Sequence, residues 1–179
     1  MDAPARERLK VVTARGDFLI ELQHDQAPKT CEYFSALVRD KRLDGSSVFR
    51  IVTPVNEPAE DAGISIVQLG LRGQNADERS AVPHESTRET GLRHRQWTVS
   101  AARFRCNELY GSFFICLRDE PSLDFHGVRN PDGQGFAAFG RVVSGFDTVR
   151  ELFRHAQETP ILSTAIPVYT VEHLAGGSS

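Results

Sequence analysis

The stretch KVVTARGDFLIEL, residues 10–22, places apolar residues on both sides of a short turn-forming cluster. Phe18, Ile20 and Leu22 fall at every second position, which is typical of a strand with one buried face. Residues 14–17, ARGD, contain a Gly-Asp pair that favours a turn. The stretch therefore predicts a β-hairpin that opens the domain.

Two amphipathic helices are predicted further along the chain. Pro28 suits a first helical turn, and apolar residues then recur at helical spacing up to the turn at Asp44-Gly45. A second helix is predicted after Gly145, because apolar residues again recur at helical spacing. Its apolar positions are Val149, Leu152, Phe153 and Ala156.

The remaining apolar runs are short and are separated by Gly, Pro, Asn and Asp, which is typical of strands joined by turns. These runs are residues 48–52, 64–69, 97–102, 113–117, 136–143 and 168–174. Together with the hairpin they favour a mainly β fold, namely a closed eight-stranded antiparallel β-barrel capped by two α-helices. The first and last strands are expected to pair and close the barrel.

We expect a single domain over residues 10–174, with an N-terminal extension at 1–9 and a flexible tail at 175–179. Residues 70–96 and 118–135 are long polar segments within this domain. Connections of this length in a compact domain are usually functional, so we expect these two segments to have a function.

Charge and composition limit the classes of partner. The 179 residues include 21 basic and 24 acidic side chains, giving a net charge of −3, which argues against binding to nucleic acid. No apolar run is long enough to span a membrane, so membrane insertion is not expected. The first ten residues do not resemble a secretory signal, and three cysteines without CxxC spacing are interpreted as free thiols. We therefore expect a monomer in the cytoplasm, or in the periplasm or outside the cell if a leader was removed.

The sequence lacks the common motifs of metal, nucleotide and hydrolase sites. His84-Glu85 is not continued as HExxH, and the glycines at 133 and 135 lack the third glycine of a dinucleotide fingerprint. Ser112 follows Gly111 but lacks the second glycine of a nucleophile elbow. These absences predict that the protein uses no metal or cofactor and no serine nucleophile.

One charged residue interrupts a predicted strand. Arg50 lies within GSSVFRIV, residues 45–52, among β-branched and aromatic residues. A guanidinium at such a position must reach water, pair with an acid or project into a cleft where substrate meets it. From this segment alone, a strand arginine that reaches the surface is the simpler interpretation.

Six separate segments, in order, resemble the cyclophilin-type peptidyl-prolyl cis–trans isomerases from about residue 10 to 174. They are GDFLIEL with APKTCEYF, LDGSSVFRIV, ISIVQLG, WTVSAAR, GSFFICL, and SLDF with FAAFGRVVSGFDTVREL. The resemblance implies an eight-stranded barrel with a helix over each end. It also implies isomerisation of X-Pro bonds in proline-containing polypeptides, without metal or cofactor.

The resemblance also implies a set of site residues. Arg50 matches the family's essential arginine, and Gln68 matches the glutamine that orients it. Residues expected to contact substrate are Ile66, Phe114, Leu123, Phe136, Arg103 and Ser112. Without the resemblance, Gln68 would be interpreted as a strand polar group, and the apolar members as ordinary core.

Departures from the family pattern leave a second function open. Ser65 stands where the family has phenylalanine, and Ser122 stands where it often has tryptophan. Phe136 stands where the family has histidine. The leading hypothesis is an active isomerase that assists protein folding, and the alternative is a catalytically weak proline-peptide binding or scaffold module. Because segment 70–96 and Arg103 add several arginines, one hypothesis is a preference for acidic or neutral residues near the proline. The alternative is that these arginines pair with neighbouring acids on a solvated loop and have no function in binding.

Overall fold

The computed structural model describes residues 6–58 and 63–174, and most of its secondary structure is β. The strands are β1 (Arg8–Thr13), β2 (Gly16–Leu22), β3 (Ser47–Val52), β4 (Ile66–Gly70), β5 (Ser80–Ala81), β6 (Thr98–Arg103), β7 (Glu108–Cys116), β8 (Ala137–Ser144) and β9 (Ile161–His173). The helices are α1 (Pro28–Arg39), α2 (Thr87–Thr90) and α3 (Phe146–Phe153), with 3₁₀ turns at Ala76–Glu78 and Pro121–Leu123.

The predicted opening hairpin is present as β1 and β2. Its cross-strand pairs Val11–Phe18 and Leu9–Ile20 are buried, because every second residue of each strand faces the core. The turn is fixed by the Thr13 hydroxyl, which donates to the Gly16 carbonyl at 2.7 Å. Strand β1 begins at Arg8, so regular structure starts two residues before the predicted boundary at residue 10.

Eight antiparallel strands close into a barrel in the order β4-β3-β9-β1-β2-β8-β6-β7, and the pairing of β7 with β4 completes the circle. The first and last strands pair as predicted, with Val11 opposite Val171. Strand β5 is a two-residue addition paired with β7. The predicted mainly β, closed eight-stranded barrel is therefore confirmed.

The two predicted helices pack against this barrel, α1 on β8 and β9 and α3 on β2 and β4. Phe34 of α1 enters the core, where its ring stacks on Phe139 with centroids 4.5 Å apart. Helix α1 ends at Arg39 and not at the Asp44-Gly45 turn, because Lys41 adopts a left-handed φ of 56° that breaks the helix. A third helix, the one-turn α2, was not predicted; Ser86 caps it by accepting a hydrogen bond from the Glu89 amide.

The predicted domain limits remain predictions, and residues 1–5 of the extension and the tail 175–179 lie outside the described residues. Within the described ranges, no helix is long and apolar enough to cross a membrane. All three cysteines have free thiols; Cys31 and Cys116 are buried and Cys106 is half-buried.

Candidate active site

Three predicted site residues lie side by side across adjacent strands. Arg50 on β3 is opposite Gln68 on β4, and Gln68 is opposite Phe114 on β7. A register shift between Val48 and Arg50 adds one residue to β3, which is the usual form of a β-bulge. Antiparallel pairing thus brings together residues that are far apart in sequence, at one position along the barrel wall.

The alternation of β4 and β7 separates two apolar groups. Val67 and Leu69 belong to the main core, whereas Ile66 and Phe114 belong to a second buried cluster. This second cluster walls a cavity of about 230 Å³. Its lining residues are Arg50, Ile64, Ile66, Gln68, Ala102, Arg103, Tyr110, Phe114, Leu123, Arg129, Asn130 and Phe136. The pocket therefore offers an apolar floor with a few polar groups at its edge, as small-ligand sites commonly do.

The Arg50 guanidinium lies at the polar edge of the cavity and is held by two acceptors. Its Nη1 donates to Gln68 Oε1 at 3.1 Å, and its Nη2 donates to Glu57 Oε2 at 2.9 Å. The side chain is 25% exposed, so solvent and a bound peptide can both reach it. The guanidinium has five N–H donors, and those not engaged by Gln68 and Glu57 are available to a ligand.

The Gln68 amide is oriented by two hydroxyl groups that bind its nitrogen. Its Nε2 donates to the Tyr110 hydroxyl and to Ser112 Oγ, both at 2.9 Å, which leaves Oε1 turned to Arg50. Ser112 is fully buried and donates to the Leu69 carbonyl at 3.2 Å. Because Ser112 does not line the cavity, its place favours positioning of Gln68 over the predicted contact with substrate. Burial raises the pKa of Tyr110 despite its hydrogen bond with Gln68, so the phenol stays neutral.

Residues 118–136 bring two further pocket residues together. The Phe136 amide donates to the Leu123 carbonyl at 3.0 Å. Gly135 makes this approach possible, since a Cβ there would lie 2.5 Å from the Leu123 carbonyl oxygen and its φ is +65°. The Phe136 ring meets Phe114 edge-to-face at 5.3 Å and forms a wall of the cavity without filling it.

Arg103 lines the cavity, and its charge is paired; its predicted contact with substrate stays a prediction. Its side chain is 3% exposed, and it donates from Nη2 to Asp132 and from Nε to the Gly135 carbonyl, each at 2.9 Å. The guanidinium also lies over the Phe136 ring at 5.4 Å. The Arg103 hydrogen bond lowers the pKa of Asp132, so this carboxylate stays ionised. Arg103 thus fixes one wall of the pocket.

Several residues at this site were not predicted from the sequence. Tyr110 could have been found, because it lies at every-second-residue spacing from Ser112 and Phe114 on β7. Glu57 and Arg129 could not, since both lie in irregular segments without periodicity and are 72 residues apart. Among the described residues, no group of His, Cys, Asp and Glu could hold a metal ion.

Ser65 and Ser122, the two serines that depart from the family's sequence pattern, both lie close to the pocket without lining it. Ser65 is buried, and its amide donates to Glu120 Oε1 at 2.8 Å. Ser122 precedes Leu123, and its buried Oγ has no hydrogen-bond partner among the residues that the structure describes. Neither serine lines the cavity, so the site is built from Phe114, Leu123 and Phe136 without them.

A closed antiparallel barrel with an arginine, a glutamine and an apolar cavity at its wall defines a cyclophilin-like protein. Residues 8–172 match the family model described as cyclophilin type peptidyl-prolyl cis-trans isomerase/CLD. The chain therefore belongs to the cyclophilin-type peptidyl-prolyl cis–trans isomerase family, as the six segments predicted.

Individual relatives agree with this assignment. The chain is 32% identical to the peptidyl-prolyl cis-trans isomerase cyp18 of Streptomyces antibioticus, over 76% of this chain and 77% of the relative. It is 30% identical to a probable peptidyl-prolyl cis-trans isomerase of Brucella suis, over 76% and 66%. The structure of a Cryptosporidium parvum cyclophilin type isomerase superposes with a TM-score of 0.74 at 18% identity, covering 96% of this chain and 99% of that one. A structure of that protein in the presence of the dipeptide Ala-Pro gives a TM-score of 0.73 at 19% identity, covering 94% and 99%.

Proposed function

We propose that this protein is an active peptidyl-prolyl cis–trans isomerase that acts on proline-containing polypeptides through Arg50. The observation that carries the proposal is the Arg50–Gln68 hydrogen bond of 3.1 Å beside an open cavity lined by Phe114 and Leu123. Had Phe136 filled the cavity, the alternative of a proline-binding module without turnover would have been favoured. The Ala-Pro dipeptide of the Cryptosporidium parvum structure supports a proline-containing ligand.

The chemistry needs only a twist of the amide. Rotation about the X-Pro bond breaks the amide resonance, which sets a barrier of ~18–20 kcal/mol. In the twisted state the proline nitrogen regains a lone pair, and the Arg50 guanidinium can donate a hydrogen bond to it. This bond is stronger in the twisted state than in either planar state, so it lowers the barrier.

Each wall of the cavity has a part in this reaction. The apolar side chains of Phe114, Leu123 and Ile66 hold the pyrrolidine ring, so the peptide on the other side of the bond rotates against it. Gln68 keeps the guanidinium plane in place, and Tyr110 with Ser112 keeps Gln68 in place. No covalent bond is made or broken.

Replacement of Arg50 tests this function. We expect Arg50→Ala to lower kcat/KM for an X-Pro peptide by about 100-fold, the usual loss when one transition-state donor is removed. Arg50→Lys should remain strongly impaired, because an ammonium lacks the planar fork that engages Gln68 and Glu57 together. The matched control is Arg154→Ala, which changes an exposed arginine at the C-cap of α3. Thermal unfolding should show all variants folded.

The outcome separates the two functions. Wild-type protein that binds an Ala-Pro peptide without accelerating its isomerisation would establish the binding module and contradict the proposal. Equal turnover by wild type and Arg50→Ala would contradict the role of Arg50. A monomeric state and a cytoplasmic location are proposed as well, and light scattering and cell fractionation would test them.

A further inference from the structure

A tight turn after β3 places one carboxylate at the active arginine. The Thr53 amide donates to Asn56 Oδ1 at 2.8 Å, and the Asn56 amide donates to Thr53 Oγ1 at 3.0 Å. Asn56 Nδ2 ties the turn to the barrel by donating to the Ile51 carbonyl at 2.9 Å. The Glu57 amide then donates to the Thr53 carbonyl at 3.2 Å. These four hydrogen bonds fix the backbone position from which the Glu57 side chain extends.

The Glu57 carboxylate joins two guanidinium groups that both line the cavity. Its Oε2 accepts from Arg50 Nη2 at 2.9 Å, and its Oε1 accepts from Arg129 Nη2. Arg129 belongs to the segment 118–136 that carries Leu123 and Phe136, so the bridge connects β3 to the segment that supplies these two pocket residues. Glu57 also neutralises one of two positive charges that would otherwise repel each other across a small gap.

The Arg50 guanidinium is consequently held from two sides. Gln68 accepts from Nη1 and Glu57 accepts from Nη2, so both the position and the rotation of the plane are fixed. A charged hydrogen bond to a carboxylate is about twice as strong as one to a neutral amide. Of the two acceptors, Glu57 therefore contributes more to immobilising Arg50.

We propose that Glu57 is a positioning residue for the isomerase reaction, which orients Arg50 and, through Arg129, couples it to the 118–136 wall of the pocket. This inference rests on the proposed isomerase function. A guanidinium that is already oriented when the amide twists loses little freedom on donating its hydrogen bond, so the benefit appears in the transition state. The opposite role, a carboxylate that competes with substrate for Arg50, would make the loss of Glu57 raise activity.

Glu57→Gln tests the role because glutamine keeps the size of the side chain and removes its charge. We expect kcat to fall about 5–20-fold with KM changed less than about twofold, since the loosened donor acts mainly on the twisted state. Arg129→Gln should lower kcat in the same direction by a smaller factor, because Glu57 keeps its contact with Arg50. The matched control is Glu32→Gln, whose carboxylate pairs with Arg39 at 2.6 Å on the exposed face of α1.

A spectroscopic measurement separates positioning from a general loss of structure. We expect the ¹⁵N-bound guanidinium protons of Arg50 to exchange with water faster in Glu57→Gln than in wild type, while thermal unfolding stays within about 3 °C. Wild-type or higher kcat in Glu57→Gln, alongside an inactive Arg50→Ala, would overturn the inference and leave the proposed function intact. A change in KM alone, or a fall in kcat with unaltered Arg50 protons, would also overturn it. Wild-type protein without turnover would instead remove the proposed function, and the inference with it.

Discussion

At the scale of single residues, the orientation of the Gln68 side-chain amide is fixed by its neighbours and not by the amide itself. An amide can present either oxygen or nitrogen to Arg50, and only the oxygen can accept from a guanidinium. Two hydroxyl groups, from Tyr110 and Ser112, take up both donors of Nε2 at 2.9 Å. Two uncharged residues, Tyr110 and Ser112, therefore determine that Gln68 presents its oxygen to Arg50.

Tyr110→Phe tests whether activity depends on the orientation of Gln68. The variant keeps the aromatic ring, so the stacking with Phe104 at 4.3 Å should remain. It removes one of the two bonds that orient Gln68, and we expect kcat/KM to fall about 5-fold, the equivalent of one hydrogen bond of about 1 kcal/mol. A stopped-flow isomerisation assay measures the change. Tyr169→Phe, at an exposed position on β9, is the control, and equal activity of both variants with wild type would contradict the orienting role.

At the scale of elements, segment 118–136 determines the charge that a peptide meets at the pocket. The sequence alone suggested that Arg103 would attract acidic peptides, but the structure pairs its guanidinium with Asp132 at 2.9 Å. A neutralised pair has a weak field at the distance of a neighbouring peptide residue. We therefore expect wild-type protein to distinguish acidic from basic peptides only slightly.

Asp132→Asn should restore the preference that the sequence suggested. With Arg103 left charged, kcat/KM for an X-Pro peptide with a neighbouring glutamate should exceed that for its lysine counterpart by about 3-fold or more at low salt. The difference should fade at high salt, where screening shortens the range of the field. The control Asp77→Asn removes an exposed carboxylate from the neighbouring segment 70–96. A ratio that does not change in Asp132→Asn would show that Arg103 does not act on the peptide.

The elements also show which parts of the structure the sequence could predict. Strands β3, β4, β6 and β8 were predicted to within two residues, because apolar runs bounded by turn formers mark them. Strand β9 begins at Ile161, seven residues before the predicted start at 168, since Ser163, Thr164 and Pro167 interrupt the apolar residues of its first half.

The residues of the site also differ in how far the sequence could predict them. Arg50, Ile66 and Phe114 lie on regular strands, whereas Leu123 and Phe136 lie on the segment 118–136 outside any strand; all five were predicted only by resemblance to the family. Glu57 lies outside any strand, and its contacts depend on a turn and on a partner 72 residues away. Side chains on irregular segments are placed by tertiary contacts, which no local pattern encodes.

At the scale of the whole molecule, buried carboxylates connect neighbouring strands, and we expect them to make the stability of the barrel depend on pH. Glu21 on β2 is 4% exposed and accepts from Arg6, Arg8 and Arg141 at 3.0, 3.2 and 3.4 Å. One carboxylate thus joins β1, β2 and β8. Burial acts to raise the pKa of Glu21, but the hydrogen bonds from Arg6 and Arg8 outweigh it and hold the pKa below its ordinary value.

The same balance between burial and stronger opposing interactions lowers the pKa of three other carboxylates, which lie outside the strands. Burial acts to raise the pKa of each, and stronger opposing interactions lower it. These interactions come from Ser35 and His24 for Glu7, from Arg129 and Arg50 for Glu57, and from His94 for Asp124. A carboxylate with a lowered pKa contributes stability above its unfolded-state pKa and loses it as the pH falls through its folded-state value. The free energy of unfolding should therefore decrease as the pH falls below the ordinary carboxylate range.

Glu21→Gln should remove part of this acid sensitivity. At neutral pH we expect the variant to lose about 1 kcal/mol of unfolding free energy, a modest value because the three arginines are half exposed and partly screened. As the pH falls through the folded-state pKa of Glu21, which lies below its ordinary value, the wild-type carboxylate becomes protonated, so the difference between wild type and variant should shrink toward zero. Urea unfolding followed at several pH values measures it, with Glu172→Gln on the exposed face of β9 as the control. A difference that stays constant across this range would mean that Glu21 stabilises the barrel by packing, and that its charge pairing contributes nothing.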